Sequence, residues 1–151
     1  MFRTIYRSLV LVTVALPLAS AFINDVQPFN GTYSATSTSK FPVTFLTAST
    51  MVEFLDLSVS FGISTPEDHA SNTTLGVPLS NVDLLALNHS STGPGSFTID
   101  VPISSSDLYA SSGSYVLTAA VLRGTGDSAV LNFRVDPFTV SFNATGGDSD
   151  A

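Results

Sequence analysis

Hydrophobic and polar residues alternate along several short segments of the chain, as expected for β-strands that bury one face. In the segment EFLDLSVSFGIS, apolar residues occupy the odd positions from Leu55 to Phe61, and polar residues lie between them. Other segments are almost entirely apolar, which is typical of strands covered on both faces. The predicted strands are 22–27, 41–47, 52–61, 82–87, 97–101, 115–122 and 129–142, the last interrupted by Pro137.

The third predicted strand contains a change of phase. Val52 and Phe54 are even-numbered, whereas the apolar residues from Leu55 onwards are odd-numbered. A shift of one residue within an alternating strand is typical of a β-bulge, in which two residues face one on the partner strand. The sequence therefore predicts a bulge between Phe54 and Leu55, with Phe54 and Leu57 buried and Asp56 exposed to solvent.

About seven strands and no amphipathic helix predict an all-β fold, an immunoglobulin-like β-sandwich. Residues 62–81 predict a long polar loop, residues 32–39 a polar surface loop, and GTGD at 124–127 a hairpin turn. The segment 102–117 resembles the corner between the two sheets of such sandwiches. Tyr115 is then either the tyrosine that bonds back to the corner backbone or an ordinary core aromatic.

The N-terminal segment has the features of a secretory signal peptide. Arg3 and Arg7 precede an apolar run at 9–18, and Ala-Ser-Ala follows at 19–21. This pattern predicts cleavage between Ala21 and Phe22. The run is shorter than the roughly 18 apolar residues of a membrane span, and the polar C-terminus has no lipid-anchor tail. We expect a signal peptide at 1–21 and one secreted domain at 22–151, without a stable membrane anchor.

Charge and cysteine content narrow the classes of partner and chemistry. Residues 22–151 retain three basic residues against twelve acidic ones, a formal net charge of −9. Nucleic acids and anionic membranes are poor partners for such a surface, whereas basic protein surfaces remain open. The chain has no cysteine, which excludes disulfides, thiol catalysis and Cys-ligated zinc. Stability must then come from hydrophobic packing.

Four Asn-X-Ser/Thr sequences are candidate glycosylation sites in a secreted chain. All four lie between or beyond the predicted strands, where a glycan can be accommodated. The alternative at each is an unmodified surface asparagine. The four residues are Asn30, Asn72, Asn88 and Asn143.

Residues that support catalysis or metal binding are sparse. His69 and His89 lie in predicted loops, which favours solvated side chains over a general base. The sequence contains no G-x-S-x-G, HExxH or EF-hand motif. We therefore expect no enzymatic activity and no cofactor. The alternative, a hydrolase with paired carboxylates, would have to draw on Glu53, Asp56, Glu67 and Asp68.

Polysaccharide binding is a further alternative, because many carbohydrate-binding sandwiches present flat aromatic platforms. The chain has no tryptophan, and most of its phenylalanines lie on predicted core faces. The tyrosines of residues 22–151 are Tyr33, Tyr109 and Tyr115. This composition weakens the lectin interpretation without removing it.

The order of the strand segments resembles the necrosis-inducing secreted protein family of fungal effectors. The resemblance rests on FPVTFLTAS, EFLDLSVSFGIS, TLGVPLSNVDLL, GSFTIDVPISSSDLYASSGSYVLTAAVL and VLNFRVDPFTVSF. It covers most of residues 41–142, and the family motifs correspond to 57–63, 74–76, 102–117 and 138–142. None of these motifs is catalytic. Residues 22–40 and the segment PEDHASN depart from the family pattern.

The resemblance implies a secreted virulence protein without enzymatic activity. Such proteins suppress plant pattern-triggered immunity by binding receptor-associated kinases, induce host cell death in some plants, and act outside or inside host cells after secretion. We expect a monomer that blocks a kinase surface, and exposed loop residues such as Glu67 and Asp68 are the candidate contacts. The alternative function is a structural or glycan-binding protein of the fungal cell wall.

Overall fold

The computed structural model describes residues 20–50, 52–71, 75–90, 93–109, 112–127 and 130–146. Residues 1–19 of the predicted signal peptide and the candidate glycosylation site Asn72 lie outside these ranges. The described residues form eight strands, one short α-helix and one turn of 3-10 helix at Ser105–Asp107. The elements are β1 Ser20–Val26, β2 Thr32–Ala35, β3 Lys40–Thr50, β4 Glu53–Ser64, α1 Pro66–Ser71, β5 Val77–Asp83, β6 Gly95–Pro102, β7 Gly113–Asp127 and β8 Val130–Gly146.

The strands form two sheets, and their order confirms the predicted immunoglobulin-like β-sandwich. One sheet has the order β1-β3-β6, and the other has the order β2-β8-β7-β4-β5. This corresponds to strands A, B and E facing strands G, F and C of immunoglobulin domains, with β5 in the place of C′. Paired strands are antiparallel except β2 and β8, which are parallel.

The core lies between the two sheets and is dominated by aromatic and branched side chains. In β4, Val59 and Phe61 are buried and alternate with the half-buried Ser58 and Ser60, as the sequence pattern predicted; Ile63, which lay in the predicted loop, is buried as well. Tyr115 is fully buried near the start of β7, and its ring stacks on Phe142 with centroids 6.0 Å apart. Other members of the aromatic cluster are Phe29, Tyr33 and Phe41.

The segment 32–39 was predicted as a loop, but its first half forms β2. Tyr33 and Ala35 are buried, and the Tyr33 hydroxyl donates a hydrogen bond of 2.7 Å to the Ile103 carbonyl. This bond ties β2 to the segment that follows β6. Strand β2 has only four residues, and only two of its side chains are buried. The alternation in its sequence is therefore too short to indicate a strand.

The predicted loop at 62–81 was wrong, because β4 continues to Ser64 and is followed by α1. Thr65 caps the helix: its hydroxyl accepts the Asp68 N–H at 3.2 Å, and its carbonyl accepts the His69 N–H at 2.9 Å. Pro66 occupies the first helical position and two acidic residues follow in the first turn. Each of these features favours a helix start.

The predicted strand at 82–87 was also wrong, since β5 begins and ends earlier. Gly76, with a φ of 83°, turns the chain into β5. After β5, the Asp83 carboxylate accepts the N–H groups of Leu85 and Ala86 at 2.9 and 3.0 Å, which stabilises a turn. Asp83 is therefore the point at which the extended chain reverses.

Two further boundaries differ from the prediction. The residues of GTGD belong to β7, which pairs with β8 as far as Asp127 and Val130. Strand β8 continues through Pro137, which pairs with Ala120 without a register shift. Proline is tolerated there because that part of β8 has a neighbour on one side only among the described residues.

The bulge in β4 exists, but it lies after Asp56 and not between Phe54 and Leu55 as predicted. The register between β4 and β7 shifts between Asp56 and Ser58, so Leu57 is the extra residue. Asp56 is therefore buried rather than exposed, while Phe54 and Leu57 are half-buried. The reason is a charged partner on β7, described below.

Candidate functional site

A charged cluster lies inside the sandwich, where β1 packs against β4 and β7. Asp56 and Arg123 are each 1% exposed, and Arg123 Nε lies 2.9 Å from Asp56 Oδ1 without the alignment of a hydrogen bond. Arg123 Nη1 is also 2.9 Å from Asp136 Oδ2, which contacts Arg134 Nη2 at 2.8 Å. The four side chains, two of each charge, form a neutral network that reaches solvent at Arg134.

The buried ion pair also binds the backbone of β1. The Ile23 N–H donates to Asp56 Oδ2 at 2.7 Å, and Arg123 Nη2 donates to the Ile23 carbonyl at 2.9 Å. The pairing of β1 with β3 shifts register between Ile23 and Asp25, and β1 is an edge strand. The ion pair thus satisfies two buried backbone groups of β1.

Aromatic rings enclose the guanidinium group. The rings of Phe22, Phe54 and Phe138 have their centroids 5.6, 5.8 and 5.9 Å from Arg123 Cζ, within the range of cation–π attraction. The rings of Phe22 and Phe54 stack at 4.5 Å. The predicted signal cleavage point, between Ala21 and Phe22, lies within β1, so the mature chain would keep both Phe22 and Ile23 in this cluster.

Burial dominates the electrostatics of the pair. It raises the pKa of the Asp56 carboxyl above its ordinary value, against the effects of the Ile23 N–H and the Arg123 charge. It lowers the pKa of Arg123, against the attraction of Asp56 and Asp136. Both Asp56 oxygens contact groups of this protein. The cluster therefore has a structural role, because it links β1 of one sheet to β4 and β7 of the other.

The four acidic residues considered for a hydrolase are not brought together as a group. Asp56 lies in the buried cluster, whereas Glu67 and Asp68 lie on α1, beyond the other end of β4. Eight strand residues separate Asp56 from the end of β4, a length of more than about 20 Å. Among the described residues, no group of three or more His, Cys, Asp and Glu side chains could hold a metal ion.

The candidate partner contacts, Glu67 and Asp68, are exposed in the first turn of α1. Tyr109 fixes this turn to the sandwich, because its hydroxyl donates to Asp68 Oδ2 at 3.0 Å and accepts the Thr65 N–H at 2.8 Å. The Tyr109 side chain is itself 48% exposed. We call Glu67, Asp68 and Tyr109 the α1 surface; it is a structured acidic surface rather than a loop.

Two of the candidate glycosylation sites, Asn30 and Asn143, line the same cleft of about 370 Å³. Pro66 of α1 lines it too, so the α1 surface and both asparagines lie at one end of the sandwich. Asn143 is not beyond the last strand as predicted. It lies within β8, exposed, and accepts a hydrogen bond of 2.8 Å from the Ser114 hydroxyl. The sequence missed this because β8 continues to Gly146.

The remaining sequence candidates occupy surface positions. Asn88 lies in the turn after β5, exposed and with a φ of 58°, a conformation that asparagine tolerates. His89 is half-buried and stacks on Phe97 with centroids 4.1 Å apart, so it is less solvated than predicted. His69 is half-buried on α1.

No helix in the described ranges is long and apolar enough to cross a membrane.

The fold and these surfaces define a β-sandwich protein in which charged residues fasten the core and acidic residues lie at one end. The family model of the Nis1 family, necrosis-inducing secreted proteins, matches residues 19–143. The chain therefore belongs to the Nis1 family and is a protein of the secreted, necrosis-inducing effector type. No curated protein sequence shows a significant match to it.

Proposed function

We propose that this protein suppresses plant pattern-triggered immunity by binding receptor-associated kinases of the host, and that it induces cell death in some hosts. The observation that carries the proposal is the family match, which extends from β1 into β8. The mechanism is occlusion: a rigid sandwich covers a kinase surface and competes with its substrate or partner. The protein acts as a monomer and needs no cofactor for this role.

The α1 surface supports the proposal as the point of contact. Thr65 and Tyr109 hold the first turn of α1 before any partner arrives, so less conformational entropy is lost on binding. Glu67 and Asp68 are suited to a Lys- or Arg-rich patch, and opposite charges accelerate association. The formal charge of −9 on residues 22–151 acts in the same direction.

The test is a binding titration with purified kinase domains of plant receptor-associated kinases. We expect the wild-type protein to bind and to inhibit phosphorylation, and the double variant Glu67→Lys/Asp68→Lys to bind about tenfold more weakly. The control is Asp100→Lys, which reverses an exposed charge on β6 of the other sheet. Equal binding by the two variants would remove the α1 surface from the interface.

The same preparations also test the alternative function. A structural or glycan-binding wall protein would be retained on insoluble chitin, glucan or cellulose and would bind none of the kinase domains. Retention on a polysaccharide without kinase binding would replace the effector proposal. Binding to the kinases without retention supports it.

A further inference from the structure

Three apolar side chains near the end of the β7–β8 hairpin lie on the outside of the sandwich. Phe133 and Val135 are 67% and 57% exposed, and Leu122 is 36% exposed. Between them, Arg134 and Asp136 point to the opposite face and join the charged cluster. Val135 is the register partner of Leu122. We call Leu122, Phe133 and Val135 the outer ridge.

The edge of β8 beside the outer ridge is open. Within the described ranges, β8 pairs with β7 from Val130 to Ala144, but on its other side it pairs only with β2, at residues 143–146. An open edge presents unpaired N–H and C=O groups to an additional strand. The length of β8 before Asn143 therefore lacks a second neighbour among the strands that the structure describes.

Pro137 shows which residues face this edge. Its pairing with Ala120 belongs to a ladder without register shifts. Because proline has no N–H to donate, residue 137 sits where the backbone points away from β7. Backbone direction alternates along a strand, so Val135 and Phe133 also direct their N–H and C=O groups to the open edge. Each of these two residues therefore presents its backbone N–H and C=O groups at the open edge, with an exposed apolar side chain beside them.

We propose that residues 131–136 of β8 bind an extended segment of a partner protein by strand addition, and that this segment alternates apolar residues with lysine or arginine. The backbone of the segment would pair with the open edge, and its apolar side chains would pack beside Phe133 and Val135. Pro137 limits the site to a few residues, because it offers no N–H.

The charge distribution decides between a basic partner and a second copy of this chain. Arg123 and Arg134 contact Asp56 and Asp136 inside one molecule, which leaves Lys40 as the remaining basic residue of 22–151. Two copies with a formal charge of −9 each repel one another, whereas a basic segment is attracted. The partner segment can belong to a protein of any class, a kinase or another.

The experiment uses the purified secreted protein and a labelled peptide of ten residues in which valine and lysine alternate. Fluorescence anisotropy measures binding to wild type, Val135→Pro and Thr139→Pro. Val135→Pro removes an N–H that faces the edge and leaves the β7 ladder intact. Thr139→Pro makes the same change on the same edge beyond Pro137, and is the matched control. Circular dichroism verifies that both variants are folded, and Phe133→Ser provides a second variant at the site.

We expect the peptide to bind wild type and Thr139→Pro alike, and to bind Val135→Pro and Phe133→Ser about tenfold more weakly. A peptide N-methylated on alternate backbone nitrogens, or one with glutamate in place of lysine, should bind at least as weakly. Absence of binding to wild type would overturn the proposal, as would equal affinity for Val135→Pro or for the N-methylated peptide. Dimerisation of wild type that Val135→Pro abolishes would identify a second copy as the occupant and overturn the choice of a basic partner.

Discussion

Arg123 on β7 and Asp56 on β4 form an ion pair inside the sandwich, with Nε and Oδ1 2.9 Å apart and each side chain 1% exposed. The same two side chains bind the N–H and the carbonyl of Ile23 on β1. The edge strand of one sheet is therefore held to the other sheet by charged groups. Breaking such a pair leaves a buried charge and unpaired backbone groups, so the pair is important for the position of β1.

Asp56→Ala should lower the free energy of unfolding by about 3–5 kcal/mol, because Arg123 stays buried and the Ile23 N–H loses its acceptor. Urea denaturation followed by circular dichroism measures the change. The control Asp100→Ala removes an exposed carboxylate and should change stability by no more than about 0.5 kcal/mol. The double variant Asp56→Leu/Arg123→Met should lose less stability than the single variants Asp56→Leu and Arg123→Met combined. Additive losses of stability would contradict the coupling.

The stability of the protein should depend on pH in the direction that a raised pKa of Asp56 requires. Burial raises this pKa above its ordinary value of 3.8, so between the two values the folded protein binds more protons than the unfolded chain. The contribution of Asp56 to stability therefore rises as pH falls through that interval. Asp56→Asn cannot titrate, so wild type should gain stability relative to Asp56→Asn between about pH 7 and pH 4. A relative loss, measured by urea denaturation across that range, would contradict the raised pKa.

The connection between β4 and β5 should require glycine at two positions. A Cβ at Gly62 would collide with the Leu75 carbonyl, and Gly76 adopts a φ of 83°. Gly62→Ala and Gly76→Ala should each lower the free energy of unfolding by about 1–3 kcal/mol. Gly113→Ala is the control, because a Cβ there has no neighbour within 4 Å. Thermal melting distinguishes them; equal melting temperatures would show that the connection adapts.

Tyr109→Phe should loosen the α1 surface without disturbing the core. The variant loses the hydroxyl that joins the Thr65 N–H to Asp68, a cost of about 1–2 kcal/mol. We expect weaker binding to the kinase domains. Tyr33→Phe is matched to it, because it removes the buried hydroxyl bond to Ile103, which lies in another part of the fold. If the two variants lower kinase affinity equally, the effect is one of stability and not of the α1 surface.

Local alternation was enough to predict the sandwich and most of its strands. Ile99 and Val101 are buried with Thr98 and Asp100 exposed, as their pattern indicated. The helix α1 was also encoded, because Thr65-Pro66-Glu67-Asp68 combines a cap, a proline and acidic residues. Its six residues are too few to show a helical period, and the polar composition favoured a loop.

Contacts between residues that are distant in the sequence explain why the burial of Asp56 and the position of the bulge were predicted wrongly. Asp56 was expected at the surface because it is charged, and its burial depends on Arg123, which follows 67 residues later. The position of the bulge follows from that pair. The same charged network places Phe133 and Val135 on the outside, since Arg134 and Asp136 take the inner positions of β8. Alternation shows that two faces differ but not which of them is buried.

The oxidative burst of leaf tissue measures whether the protein suppresses plant immunity. Residues 22–151 are expressed in leaves, the tissue is treated with a fungal elicitor, and reactive oxygen is recorded beside tissue that expresses Glu67→Lys/Asp68→Lys at the same level. We predict a reduced burst with the unmutated protein and a larger burst with the double variant. An undiminished burst in tissue that contains abundant, folded, unmutated protein would show that it does not suppress plant immunity.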